Sequence, residues 1–127
     1  MDALTLLTSR FSSARLTEPA PAGEVLENIK RAALQVPDHG NLRPWRFIIA
    51  EGRQALSRLG DIFAEAAVED DPAIANELLE RARQLPLRAP MVVVCIAKAV
   101  AHAKVPLAEQ QQSAACAVMA MQQAAFA

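Results

Sequence analysis

The sequence carries almost no net charge: 13 lysines and arginines stand against 14 aspartates and glutamates over 127 residues, a balance of −1. That excludes a general basic field for nucleic acid or an anionic membrane, so any anion must be held locally. Cysteine is scarce. Cys95 and Cys116 each lie in an apolar run, where a thiol usually behaves as a small buried hydrophobe, and without a secretory context no disulfide is expected. No apolar run approaches the ~18 residues of a membrane span, and Met1 to Ser9 carries an early Asp2 and too short an apolar stretch for a signal peptide. A soluble, cytoplasmic protein is expected. A nucleophile triad, a pair of catalytic acids, a metal-ligand cluster and a dinucleotide fingerprint are all missing, and the two histidines, His39 and His102, are far apart in sequence.

What is present is helix-forming and globular. The composition is 53% hydrophobic, 21% charged and 4% aromatic, and its many alanines favour helix-rich packing in one domain over residues 1–127. Asp2 can cap a short helix carrying Leu4, Leu6 and Leu7, which gives way near Thr8 to a polar loop. After Pro19 and Pro21, a second helix has Val25, Leu26, Ile29, Ala33 and Leu34 on one face and Glu24, Glu27, Lys30 and Arg31 on the other. Pro37 to Pro44 reads as a shaped loop, and Trp45, Phe47, Ile48 and Ile49 as a strand with at least one buried face. A helical hairpin is predicted from about Arg53 to Val68 and from about Pro72 to Arg83. The run Met91 to Ala97 suits a central strand covered on both faces.

Leu107 to Ala127 is an unbroken helix-forming segment with an apolar stripe of Ala115, Val118, Met119, Gln122 and Phe126, a pattern of plain core more often than of partner surface. It ends without a glycine, a basic last turn or a polar tail. Two strands among five helices also make a poor sheet. The expectation is therefore a domain cut inside its last helix, with further strands to follow.

Two segments could carry chemistry. Arg10, Ser12, Ser13 and Arg15 place two guanidiniums and two hydroxyls together, the donors a phosphate needs, although capping serines in a solvated loop would look the same. Between Pro37 and Trp45, His39, Asn41 and Arg43 bring an imidazole, an amide and a guanidinium to a loop that can face a polar heterocycle. A structural turn is the alternative there.

Together these segments resemble the nitroreductase family of FMN-dependent NAD(P)H oxidoreductases, in particular its short bacterial members. The resemblance extends through Glu18 to Pro21, Pro37-Asp38-His39, Pro44-Trp45, Arg88-Ala89-Pro90, Lys104-Val105-Pro106 and Cys116-Ala117-Val118-Met119-Ala120-Met121-Gln122. It implies an α+β, nitroreductase-like fold with helices packed around a small mixed sheet, and a homodimer holding two FMN molecules between subunits. By the same resemblance Arg10, Phe11 and Ser12 line the phosphate and ribityl side, while Gln35 and His39 reach the partner's flavin. Asn41 and Arg43 fall beside the isoalloxazine. The sequence departs from its relatives at Phe11 and Gln35, where they carry arginine.

The implied reaction is ping-pong hydride transfer from NAD(P)H through the flavin to a small acceptor such as a nitro-aromatic or a quinone. No side-chain nucleophile is then required, because the hydride chemistry is the cofactor's. A non-enzymatic dimerisation module of the same fold is the alternative.

Overall fold

The computed structural model describes Met1–Ala127 and is mixed α+β: five helices and two strands. In chain order these are α1 (Ala3–Ser9), α2 (Gly23–Ala33), β1 (Trp45–Glu51), α3 (Gly52–Asp70), α4 (Asn76–Gln84), β2 (Met91–Ala97) and α5 (Leu107–Phe126). Short 3-10 turns occupy His39–Asn41 and Leu85–Arg88. No helix is long and apolar enough to cross a membrane. The chain divides into two compact units, the first formed by residues 1–12, 21–48 and 95–127 and the second by residues 13–20 and 49–94.

In the first unit α1 begins as its sequence dictates. The Asp2 carboxylate accepts the backbone N–H groups of Leu4 and Thr5 at 3.1 Å each and the Thr5 hydroxyl as well. Those hydrogen bonds, the Thr5 hydroxyl first, hold the Asp2 carboxyl below its ordinary range. Helix α2 turns Ile29 and Ala33 inward and leaves Val25 exposed. Its partner is α5, and Ala33, Ala114 and Ala117 form a core cluster with Trp45, bordered by Val36, Phe47, Cys95 and Met121. Alanines at this crossing let the backbones approach, and the Trp45 ring fills the space beside them. Truncating a buried tryptophan typically costs about 3–5 kcal/mol, which makes Trp45 the largest single apolar contributor to this core.

Strands β1 and β2 form a two-stranded sheet. The Lys98 N–H donates to the Pro44 carbonyl at 2.9 Å, and the Gly52 N–H to the Pro90 carbonyl at 3.3 Å. The start of each strand thus lies beside the end of the other, so the two run antiparallel. Trp45 and Phe47 turn inward while Arg46 and Ile48 turn outward, the period-two pattern expected of β1. The β2 expectation differs from what is seen: Met91 to Cys95 are half-buried and Ile96 and Ala97 exposed, and β2 has one strand neighbour, β1, instead of lying centrally.

The apolar stripe expected on α5 is also corrected. Ala115, Val118, Met119 and Gln122 are exposed, and the buried face carries Gln110, Ser113, Ala114 and Ala117. Two of those four are polar, and each is satisfied: the Gln110 amide donates to the carbonyls of Val100 and Val105 and accepts the Val100 N–H, and the Ser113 hydroxyl donates to the Pro37 carbonyl. A buried polar group fully paired in this way escapes the desolvation penalty that would push it outward. Both cysteines are free, but Cys116 is exposed rather than buried. Burial pushes the half-buried Cys95 thiol above its ordinary pKa.

In the second unit α3 presents Leu56, Gly60 and Ala64 at four-residue spacing and packs them on α4 and on the turn Leu85–Arg88. A Cβ at Gly60 would collide with the backbone carbonyl of Arg83, so only glycine permits this crossing. Helix α4 starts later than predicted. The Asp71 carboxylate accepts the Ala73 N–H at 2.9 Å and its carbonyl accepts the Ile74 N–H at 3.0 Å, which keeps Asp71 to Ile74 a turn and delays the helix to Asn76.

Candidate functional site

All seven residues singled out for cofactor binding, Arg10, Phe11, Ser12, Gln35, His39, Asn41 and Arg43, belong to the first unit. They fall into two groups. Arg10 caps the end of α1, half-buried, and its Nη1 donates to the Ser12 hydroxyl at 3.3 Å. Phe11 is 66% exposed and meets Phe126 of α5 edge to face, with ring centroids 5.4 Å apart. Gln35 lies just past α2, exposed, its N–H bonded to the Ala32 carbonyl at 3.2 Å.

The second group is a loop whose shape comes from Asp38. The Asp38 carboxylate accepts the N–H groups of Leu42 at 3.2 Å and Arg43 at 2.8 Å, while its carbonyl accepts the Asn41 N–H at 3.0 Å. Within this ring Gly40, Asn41 and Arg43 all have positive φ, at 74°, 52° and 48°. Asparagine tolerates that geometry; for arginine it is uncommon and must be held by its surroundings. A Cβ at Gly40 would press on Val105 at 3.3 Å. The loop is tied at both ends, by Ser113 to the Pro37 carbonyl and by Lys98 to the Pro44 carbonyl.

His39 is exposed, and its Nδ1 lies 2.7 Å from Oε2 of Glu109 in the first turn of α5. With Nδ1 donating to the carboxylate, Nε2 is the ring's remaining polar atom and can accept a hydrogen bond. Asn41 and Arg43 are exposed beside it. No hydrogen bond or ion pair joins the Arg10 group to the His39 group; each is organised by its own neighbours.

Three organising residues escaped the sequence reading. Asp38 could have been found, because an aspartate ahead of a Gly-Asn pair is a recognised side-chain cap of a turn. Glu109, 70 positions from His39, and the buried Gln110 that ties down residues 100–105 had no local signal. Arg15 belongs to the second unit, where it lines a cavity with Arg81 and Arg88.

Residues 7–127 match the sequence profile described as "Nitroreductase family". The protein of Escherichia coli strain K12 named "Putative NAD(P)H nitroreductase YdjA" is 49% identical over 129 residues, an alignment that covers 100% of this chain and 68% of that protein. A protein of Haemophilus influenzae named "Putative NAD(P)H nitroreductase" is 48% identical over 128 residues, again with 100% and 68% covered. The chain belongs to the nitroreductase family of oxidoreductases.

Proposed function

We propose that the protein is a cytosolic, FMN-dependent NAD(P)H oxidoreductase that acts as a homodimer on small nitro-aromatic, quinone or similar acceptors. The observation that carries this reading is the donor set of the first unit. A guanidinium paired with a hydroxyl, Arg10 with Ser12, suits a phosphate monoester. An imidazole, an amide and a guanidinium on one tied-down loop suit the polar edge of a heterocycle. The two groups fit the two ends of a mononucleotide.

In this reading Arg10 and Ser12 hold the phosphate, with Phe11 beside them along the ribityl chain. Gln35 and His39 reach across to the flavin of the partner subunit, and Asn41 and Arg43 lie along the ring edge. When bound, FMN supplies the hydride-accepting and hydride-donating chemistry. The protein's residues supply position and charge: the Arg43 guanidinium offers positive charge where reduction places negative charge, and Glu109 fixes the orientation of the His39 ring. NAD(P)H and the acceptor would occupy the same open face in turn, and because the hydride chemistry would be the cofactor's, no side-chain nucleophile would be needed. Phe11 and Gln35, in place of cations, leave Arg10 as the guanidinium of the phosphate end.

A titration with FMN, followed by quenching of flavin fluorescence, tests the assignment. Arg10→Ala is expected to weaken FMN binding by about tenfold or more, the loss of one hydrogen bond from a charged donor to phosphate. Equal affinities in the variant and the parent would refute it.

A second reading, in which the chain only dimerises, rests on a feature that the first shares. Ala115, Val118, Met119 and Gln122 form an exposed, largely apolar face on α5 that nothing in the chain covers. A dimer that gains no flavin absorbance on addition of FMN would select this reading over the first.

A further inference from the structure

The second unit contains a cavity of about 350 Å³ lined by Arg15, Arg81, Gln84, Leu85, Leu87 and Arg88. Three of its six lining residues are cationic and none is anionic. We propose that this cavity is a further anion site, which takes the phosphate group of a small phosphorylated molecule.

The charge balance around it points that way. Arg15, Arg81 and Arg88 make no side-chain hydrogen bond and no ion pair, whereas the neighbouring Arg83 is matched to both Asp61 and Glu80. Glu80, adjacent to Arg81 in sequence, also accepts the Gln84 amide at 2.8 Å and is already engaged. Glu77, one turn before Arg81 on α4, forms no ion pair with it. Three guanidiniums left without counter-charge at one cavity repel one another until an anion enters.

Phosphate fits this arrangement better than carboxylate does. A carboxylate presents two oxygens in one plane, which a single guanidinium fork can engage together, while a phosphate monoester presents three oxygens pointing apart, suited to donors arriving from separate segments. The segments here are separate: Arg15 precedes α2, Arg81 lies on α4, and Arg88 ends the turn Leu85–Arg88. Their backbone is joined, since the Leu16 N–H donates to the Arg88 carbonyl at 2.8 Å, which fixes Arg15 and Arg88 at one place. Leu85 and Leu87 supply an apolar lining for the group that carries the phosphate.

The test uses inorganic phosphate as probe, titrated by calorimetry into protein already saturated with FMN and, separately, into protein without it. Saturable phosphate binding in both is expected. Arg81→Ala should weaken it by about tenfold or more, because a charged donor is lost, and Arg81→Lys should keep part of it. Arg81 is exposed and makes no side-chain hydrogen bond or ion pair, so an unchanged melting temperature and unchanged FMN affinity should accompany the loss. Absence of saturable phosphate binding, binding by Arg81→Ala equal to the parent, or displacement of phosphate by FMN would each overturn the proposal. The FMN-free titration is readable even if the protein binds no flavin, so failure here and failure of the oxidoreductase reading are distinguishable.

Discussion

At the scale of single residues, the candidate site depends on Asp38 more than on the residues offered to the ligand. Positive φ at Arg43 stores strain of order 1–3 kcal/mol, and the Asp38 carboxylate, bonded to the N–H groups of Leu42 and Arg43, keeps that strain from relaxing. Asp38→Ala leaves both donors without their partner. Chemical denaturation should show a loss of about 1–3 kcal/mol, and FMN titration a weaker affinity, because the loop that presents His39 and Arg43 loses its shape. A variant as stable as the parent would show that the loop holds itself. The exposed positions His39, Asn41 and Arg43 were legible from their chemistry, and the left-handed turn at Asn41 from its residue type. Arg43 in the same conformation was not legible, since arginine gives no such signal. Nor was the pairing of His39 with Glu109, which depends on where α5 lies.

Among elements, helix existence and strand β1 followed from periodicity, capping and proline placement, while helix faces did not always follow. The α5 stripe was read by hydropathy as Val118 and Met119, yet the buried side is Ala114 and Ala117 with Gln110 and Ser113. Hydropathy cannot register that a glutamine has three backbone partners waiting at Val100 and Val105, or that small side chains are needed where α2 crosses. A similar demand for space governs α3 and α4. Gly60→Ala gains helix propensity of roughly 1 kcal/mol. It also drives a methyl group into the Arg83 carbonyl, and overpacking costs about 1–3 kcal/mol, with backbone as the obstacle placing this case at the upper end. The collision wins, so a clear fall in denaturation midpoint is expected. A neutral or stabilised variant would mean that the two helices can separate freely.

For the whole molecule, the α5 face of Ala115, Val118, Met119 and Gln122 is the surface on which a dimer would form in the proposed function. Met119 is 46% exposed in the single chain, so a charge there disturbs no intrachain core. Sedimentation should give a dimer for the parent and a monomer for Met119→Glu, with the helical content unchanged. A Met119→Glu protein that remains dimeric would place the interface elsewhere. Length, composition and motif order made the family and the α+β class readable from sequence. The burial of β2 was not readable, because a β-branched run reports hydrophobicity and not the number of neighbouring strands.

In the proposed function this chain's residues hold FMN for hydride transfer. The most direct measurement is the visible spectrum of the purified protein, equilibrated with FMN and freed of excess, before and after anaerobic NAD(P)H. Flavin absorbance bands that stay with the protein and bleach on reduction are predicted. A colourless protein that retains no flavin and oxidises no NAD(P)H would contradict the account.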